Sequence, residues 1–163
     1  MEVAITIRRL RSGDVASVLA IQSACPGLAQ WTQLDYQNAA RGDMPAWVAA
    51  REMNSASPAA ELAQASHAIA GFLVARLAAT DFEILNVAVD PQARRQGIAT
   101  KLLQEALHFA AENQAQRAHL EVRASNAAAL KFYESHGFQI SGRRPKYYSA
   151  PIEDALQLAA KIG

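Results

Sequence analysis

The stretch VAVDPQARRQGIATKLL, from Val87 to Leu103, limits the fold of this chain more than any other. A short apolar run ends at Asp90-Pro91, a basic loop with one glycine follows, and an apolar-periodic segment begins at Gly97. That order reads as a strand turning directly into a helix. The expected helix runs from Gly97 to about Asn113, with Ile98, Leu102, Ala106, Leu107 and Phe109 at three- and four-residue spacing. One stripe of it must therefore face a core.

The same turn carries chemistry. A helix start exposes four unpaired backbone N–H groups and about half a positive charge from the aligned peptide dipoles. A phosphate docks there when the backbone can come close. Gly97 removes a Cβ from that approach, and Ala99 keeps the next exposed position small. Arg94 and Arg95 add positive charge and charge-assisted hydrogen bonds. The amides around Gln96 to Thr100 are thus suited to a pyrophosphate. A Walker loop needs a Gly-Lys-Ser/Thr ending and a dinucleotide fingerprint needs three spaced glycines, and this turn has neither. On charge and one glycine alone, a merely solvated surface loop stands level with the phosphate reading.

Around this unit the pattern continues. Val3 to Arg9 reads as a strand, and Ser12 or Asp14 as the cap of a helix through Val15, Val18, Leu19 and Gln22 that stops at Pro26-Gly27. Trp31 to Arg41 is expected as a short helix, and Ala46–Arg51 with Ala68–Leu77 as two antiparallel strands. Between them Asn54–Ser66, rich in Ala and Ser, reads as a long solvated hairpin loop. Phe82–Val89 and His119–Val122 are further strands. Asn126–Ser135 is a helix closed by His136-Gly137, and Phe138–Arg144 and Asp154–Lys161 complete the sheet. A βαβα unit flanked by antiparallel strands predicts an α/β fold with a mixed sheet covered by helices. No linker or repeat divides the 163 residues, so one domain over 1–163 is expected.

Composition narrows the function. Sixteen basic against fifteen acidic residues leave a net charge of +1, which gives no polyanion signature, and no nucleic-acid partner is expected. Cys25 is the only cysteine, which excludes an intrachain disulfide, suits a reducing cytosol and reads as a small half-buried hydrophobe. The start MEVAITIRRL lacks signal-peptide character, and the most apolar stretch, Ala68–Ala75, falls far short of the roughly 20 residues that span a bilayer. A soluble cytoplasmic protein without membrane contact is the expectation. Histidines 67, 108, 119 and 136 show no metal-ligand spacing, so no metal is expected.

RRQGIA resembles the R/Q-x-x-G-x-G/A signature of the acyl-CoA-binding motif of the GNAT superfamily, and the preceding VAVDP is typical of its strand. LEVRASNAAALKFYESHGF and RRPKYYSAPIEDALQL are similar to the RimI-like, ribosomal-protein-alanine N-acetyltransferase branch. The likeness spans Glu83 to the end. It implies a central, mostly antiparallel sheet flanked by helices, whose fourth and fifth strands splay around the pantetheine arm of acetyl-CoA. It sets Val87, Ala88 and Val89 beside the pantetheine and acetyl group, with a main-chain N–H polarising the thioester carbonyl. Arg94, Arg95, Gln96, Gly97, Ile98, Ala99 and Thr100 would hold the pyrophosphate, and Asn126 matches a further cofactor contact, although it also suits an N-cap. Ala99 replaces the second glycine of the signature. Asn54–Ser66 has no counterpart in the branch, and Cys25–Asp43 matches it weakly beyond Trp31.

Amine acetylation needs a base to strip the ammonium and an acid to protonate the leaving sulfur. Family correspondence implies Glu121 as base and Tyr133 as acid. From the residues alone, Glu121 sits between Leu120 and Val122 where glutamate has poor strand propensity, on the face of His119 and Arg123, and a solvent-facing pair with Arg123 is the plain alternative. Tyr133 could equally be core packing. Tyr147 and Tyr148, expected in a loop before the last strand, match the tyrosine pair that lines the acceptor site in peptide-acetylating relatives. Trp31 is a further substrate-side candidate, and Glu153-Asp154 is expected near the same strand end. The implied activity is transfer of acetyl from acetyl-CoA to a primary amine, foremost the α-amino terminus of a protein or peptide. A small-amine acetylase and a non-catalytic acetyl-CoA-binding module are the alternatives.

Overall fold

The structure, a computed structural model, describes residues 3–52 and 68–163. The loop expected at Asn54–Ser66 and the residue His67 lie outside the described residues. Among the described residues seven strands form one sheet: β1 (Ile5–Arg9), β2 (Ala46–Arg51), β3 (Ile69–Ala78), β4 (Asp81–Val89), β5 (Arg117–Arg123), β6 (Gln139–Ser149) and β7 (Ile152–Lys161), in the order β1-β2-β3-β4-β5-β7-β6. The described helices are α1 (Val15–Ala24), α2 (Gln33–Ala40), α3 (Ile98–Glu112) and α4 (Ala127–Ser135). Pairs β1·β2, β2·β3, β5·β7 and β6·β7 are antiparallel. Two residues, Ala79 and Thr80, join the neighbours β3 and β4, a connection that only antiparallel strands permit. Between β4 and β5 the pairing is parallel and covers Asp81↔Arg117, Phe82↔Ala118 and Glu83↔His119, while β4 runs on to Val89 and β5 to Arg123. The expected mixed, mostly antiparallel α/β sheet is what forms.

Packing divides the chain into two units. One comprises Met1–Ala75 and Asn86–Ala106, the other Arg76–Leu85 and Leu107–Gly163. The core of the first gathers Leu10, Val15, Val18, Ile21, Tyr36, Val48, Phe72, Val74 and Ala88. Each large side chain removed from water here contributes roughly 1.5–3 kcal/mol. Edge-to-face contact between Tyr36 and Phe72 (centroids 5.6 Å apart) fixes α2 against β3. Helix α2 starts at Thr32, whose hydroxyl accepts the Asp35 N–H at 3.2 Å while the Asp35 carboxylate accepts the Thr32 N–H at 2.7 Å. That is a reciprocal cap on two otherwise orphaned donors.

The second unit buries Phe82, Ala118, Leu120, Val122, Phe138, Leu156 and Leu158. Alternation along β5 buries Leu120 and Val122 and leaves His119, Glu121 and Arg123 half-exposed. Two aromatic contacts tie helices to this core, Phe82–Phe109 at 6.3 Å and Tyr133–Phe138 at 5.5 Å.

Three local expectations change. Strand β1 begins at Ile5, two residues later than read. Ser12–Asp14 is a 3-10 turn, and the Asp14 carboxylate does not cap α1: it accepts the Arg11 N–H at 2.9 Å and both arms of the Arg8 guanidinium at 2.7 and 2.9 Å. A two-pronged, charge-assisted pair outcompetes a single cap. Tyr147 and Tyr148 lie not in a loop but on β6, which extends to Ser149; Pro145 and Lys146 interrupt the strand pattern in sequence without ending the strand.

Candidate active site

In the first unit, β4 leads into a short 3-10 turn, Pro91–Ala93, held by the Asp90 carboxylate accepting the Gln92 N–H at 3.0 Å. Residues 94–97 are exposed, and α3 begins at Ile98, which is buried. Arg95 and Gly97 both adopt left-handed backbone, with φ of 64° and 73°. Such turns aim successive N–H groups into a shared concavity that suits an anion. A Cβ built on Gly97 would meet no heavy atom of the chain within 4 Å, so within the protein the glycine supplies the left-handed φ and not clearance. Ala99 and Thr100 are half-buried.

Cys25 lies deeper than expected. Cys25 is buried, only 6% exposed, and its S–H donates to the Val89 carbonyl at 3.6 Å. The Arg94 guanidinium donates to the Cys25 sulfur at 3.5 Å, so Arg94, although exposed like Arg95, is tied to the end of α1. Ala88 is buried, and Val87 and Val89 are half-buried.

A buried polar network in this unit escaped the sequence reading. Asn86, 5% exposed, donates to the Tyr36 hydroxyl at 3.1 Å and to the Ala29 carbonyl at 3.3 Å. Tyr36 donates to Gln22 Oε1 at 2.5 Å, and Gln22 receives the Trp31 N–H at 3.1 Å and donates to the Trp31 carbonyl at 3.0 Å. The segment from Ala29 to Trp31 is therefore pinned to β4 through three side chains. Burial pushes the Tyr36 phenol up to about 12. Asparagine inside the apolar run Ile84–Val89 was the available signal, since a buried amide in a strand needs partners.

The second unit presents the half-exposed face of β5. Glu121 does not pair with Arg123. Its Oε1 lies 2.7 Å from Arg144 Nε, and the Tyr147 hydroxyl donates to the same carboxylate, which together with its charge and partial burial raises the Tyr147 phenol. Arg123 instead reaches Glu153 at 3.6 Å and stacks over the Tyr148 ring at 4.3 Å. Burial and the nearby Glu121 and Tyr147 push the Tyr148 phenol up. A groove of about 370 Å³ opens on this face, lined among others by Glu83, His119, Glu121, Ser141, Arg144 and Gln157. The structure thus brings Glu121, Tyr147 and Tyr148 together and adds Arg144, which the sequence reading did not single out.

Asn126 caps α4, its Oδ1 accepting the Ala129 N–H at 3.1 Å. Tyr133 packs edge-on against Phe132 and Phe138, and burial holds its phenol far above the ordinary value. Its hydroxyl therefore keeps its proton at any ordinary pH. Among the described residues no group of three or more His, Cys, Asp or Glu is placed to hold a metal, and no helix is long and apolar enough to cross a membrane.

The sequence profile of the acetyltransferase (GNAT) family matches residues 19–138. The chain belongs to the GNAT family. Among curated relatives, the [ribosomal protein bS18]-alanine N-acetyltransferase of Escherichia coli K12 is 36% identical over 96 residues, covering 58% of this chain and 65% of the relative. The N-alpha-acetyltransferase RimI of Mycobacterium tuberculosis is 39% identical over 83 residues, covering 51% of each. Both matches span less than two thirds of the relative's length. The crystal structure of the ribosomal-protein-S18-alanine N-acetyltransferase from Escherichia coli superposes with a TM-score of 0.79 at 26% identity, covering 98% of this chain and 95% of that one. The GNAT stretch includes the Gly97 turn, Glu121 and Tyr133 and stops before β6, so Arg144, Tyr147 and Tyr148 lie beyond it.

Proposed function

We propose that this chain, acting as one catalytic domain over residues 1–163, transfers the acetyl group of acetyl-CoA to a primary amine, foremost the α-amino terminus of a protein or peptide. The observation that carries the reading is the GNAT match across the Gly97 turn, in a chain whose relatives are named for acetylating α-amino groups. The left-handed Arg95 and Gly97 ahead of α3 fit a pyrophosphate. We assign the diphosphate to Arg94, Arg95, Gln96, Gly97, Ile98, Ala99 and Thr100, the pantetheine arm to Val87, Ala88 and Val89, and a further contact to Asn126. When bound, acetyl-CoA supplies an activated thioester.

The chain's own groups would manage protons. An α-amino group has a pKa of about 8 and a lysine about 10.4, so either arrives mostly charged at neutral pH, the lysine far more so. Glu121 takes the surplus proton, directly or through water, and Tyr133, kept protonated by burial, donates to the departing sulfur. A main-chain N–H at the end of β4 would stabilise charge gathering on the carbonyl oxygen. Tyr147 and Tyr148, beside Glu121, offer flat faces and hydroxyls to a peptide backbone, and Trp31 gives a further aromatic surface. A lone cysteine accords with action in the cytoplasm.

Thiol release from acetyl-CoA on adding a peptide beginning with alanine tests this. Turnover with that peptide supports the reading. Turnover with free small amines alone would make the chain a small-amine acetylase, and acetyl-CoA uptake without turnover would leave a non-catalytic binding module.

A further inference from the structure

The β6–β7 hairpin is built around an irregularity. Arg144 opposes Ala155 and Tyr148 opposes Glu153, so Pro145, Lys146 and Tyr147 stand against the single residue Asp154. Lys146 takes a left-handed φ of 53°. Asp154 fastens the bulge, accepting the Lys146 N–H at 2.9 Å and the Arg143 Nε–H at 2.6 Å, and both contacts hold its carboxyl below the usual range. Bulges re-aim side chains beside functional sites. Here the result is that Arg144 and Tyr147, three residues apart on one strand, both reach the Glu121 carboxylate.

The two ends of the Arg144–Glu121 pair differ in exposure. The Arg144 side chain is 54% exposed and that of Glu121 is 20% exposed. The guanidinium can swing into water at little cost, whereas the carboxylate stays lodged on β5. Arg123 and Arg143 are held by acids of the hairpin itself, Glu153 and Asp154, but Arg144 draws on the carboxylate that lines the groove. An ammonium entering the groove would meet Glu121 with a cation already on it.

We propose that Arg144 is an internal stand-in for the acceptor's ammonium: it occupies Glu121 in the free protein, and an acceptor binds by exchanging its own cation for the guanidinium. The inference rests on the role assigned to Glu121 above. Exchange keeps charge balanced, one cation leaving the carboxylate as another arrives, and the Tyr147 hydroxyl retains its hydrogen bond throughout. The competition falls equally on every cationic acceptor, so an amine that brings further contacts, such as a peptide lying along the tyrosine pair, keeps useful affinity where a bare small amine has little to spare.

Calorimetric binding, which needs no turnover, tests this with a hexapeptide amide beginning with alanine and the same peptide acetylated at its amino terminus. A part-exposed ion pair is a weak competitor, so Arg144→Gln should bind the free-amine peptide about two- to fivefold more tightly, leave the blocked peptide unchanged, and be reversed by Arg144→Lys. Unchanged or weaker binding of the free-amine peptide, an equal change for both peptides, or no binding of the free-amine peptide to either protein would each overturn the exchange. A charge-selective gain in a protein that never turns over acetyl-CoA would keep the exchange and dismiss the enzymatic reading. Turnover without that gain would do the reverse.

Discussion

Gly71 on β3 and Ala88 on β4 meet with no room for a methyl group. A Cβ on residue 71 would stand 2.9 Å from the Ala88 carbonyl oxygen, 3.2 Å from Ile98 Cγ2 and 3.3 Å from Leu102 Cδ1. At the same spot the first turns of α3 lie against β3, the neighbour of the strand that precedes the Gly97 turn. Gly71→Ala should therefore destabilise the fold by about 1–3 kcal/mol, the usual penalty for an extra carbon in a filled core. Urea unfolding measures it, and a stability equal to wild type would mean the strands part easily.

Gly97→Ala should weaken acetyl-CoA binding with little effect on the fold. The new methyl group meets open space, but a left-handed φ costs a non-glycine residue roughly 1–2 kcal/mol. Relaxation of the turn would turn its amides away, for about a tenfold loss in affinity by that energy. Calorimetry with acetyl-CoA reads this directly, and wild-type affinity would detach the turn from the cofactor.

Glu121→Gln should lower kcat by about 10²–10⁴ at neutral pH, the span of a positioned proton-transfer group, while acetyl-CoA still binds. Tyr133→Phe should do the same with a smaller loss of stability than most core changes, since the ring contacts to Phe132 and Phe138 remain. Single-turnover rates of each variant decide the matter: an undiminished rate removes that residue from the chemistry.

Alkaline stability should depend on Tyr36. Burial raises its phenol from 10.0 to about 12, so the folded form holds the proton more tightly than the unfolded chain. The resulting stabilisation is complete below pH 10 and disappears as pH climbs from 10 to about 12. At 1.36 kcal/mol per unit it amounts to roughly 3 kcal/mol. Tyr36→Phe should lessen this alkaline decline, leaving the share that the buried Tyr133 phenol contributes, while lowering stability at pH 7 by about 1–3 kcal/mol, because Asn86 and Gln22 each lose a partner. Denaturant titrations at pH 7, 9 and 11 show both effects, and an unchanged alkaline slope would exonerate the phenol.

The elements legible in sequence were those with a clear period. Helix α3, from Ile98 to Glu112, and the alternation of Leu120 and Val122 about Glu121 follow from side-chain spacing alone. The strand-to-helix turn is legible because an apolar run stops at Asp90-Pro91 and an apolar-periodic segment starts at Gly97. Tyr147 and Tyr148 lie on β6 and not in the expected loop because the partner strand absorbs Pro145 and Lys146 as a bulge. Arg144 was passed over for a related reason. Its partner lies 23 positions away on a strand that pairs with β7 and not with β6, so no local pattern announces the contact. Likewise the link from Gln22 through Tyr36 to Asn86 joins two helices to a strand, and only tertiary packing brings it about.

The Asp154 clasp on β6 has an implication for how such a chain can diversify. Because the hairpin carries its own fastening, insertions or exchanges among residues 144–148 can redirect what reaches Glu121 without touching the strand-to-helix turn at Gly97. On the proposed function, choice of acceptor and grip on the acyl donor would thereby be free to drift apart, each under its own selection.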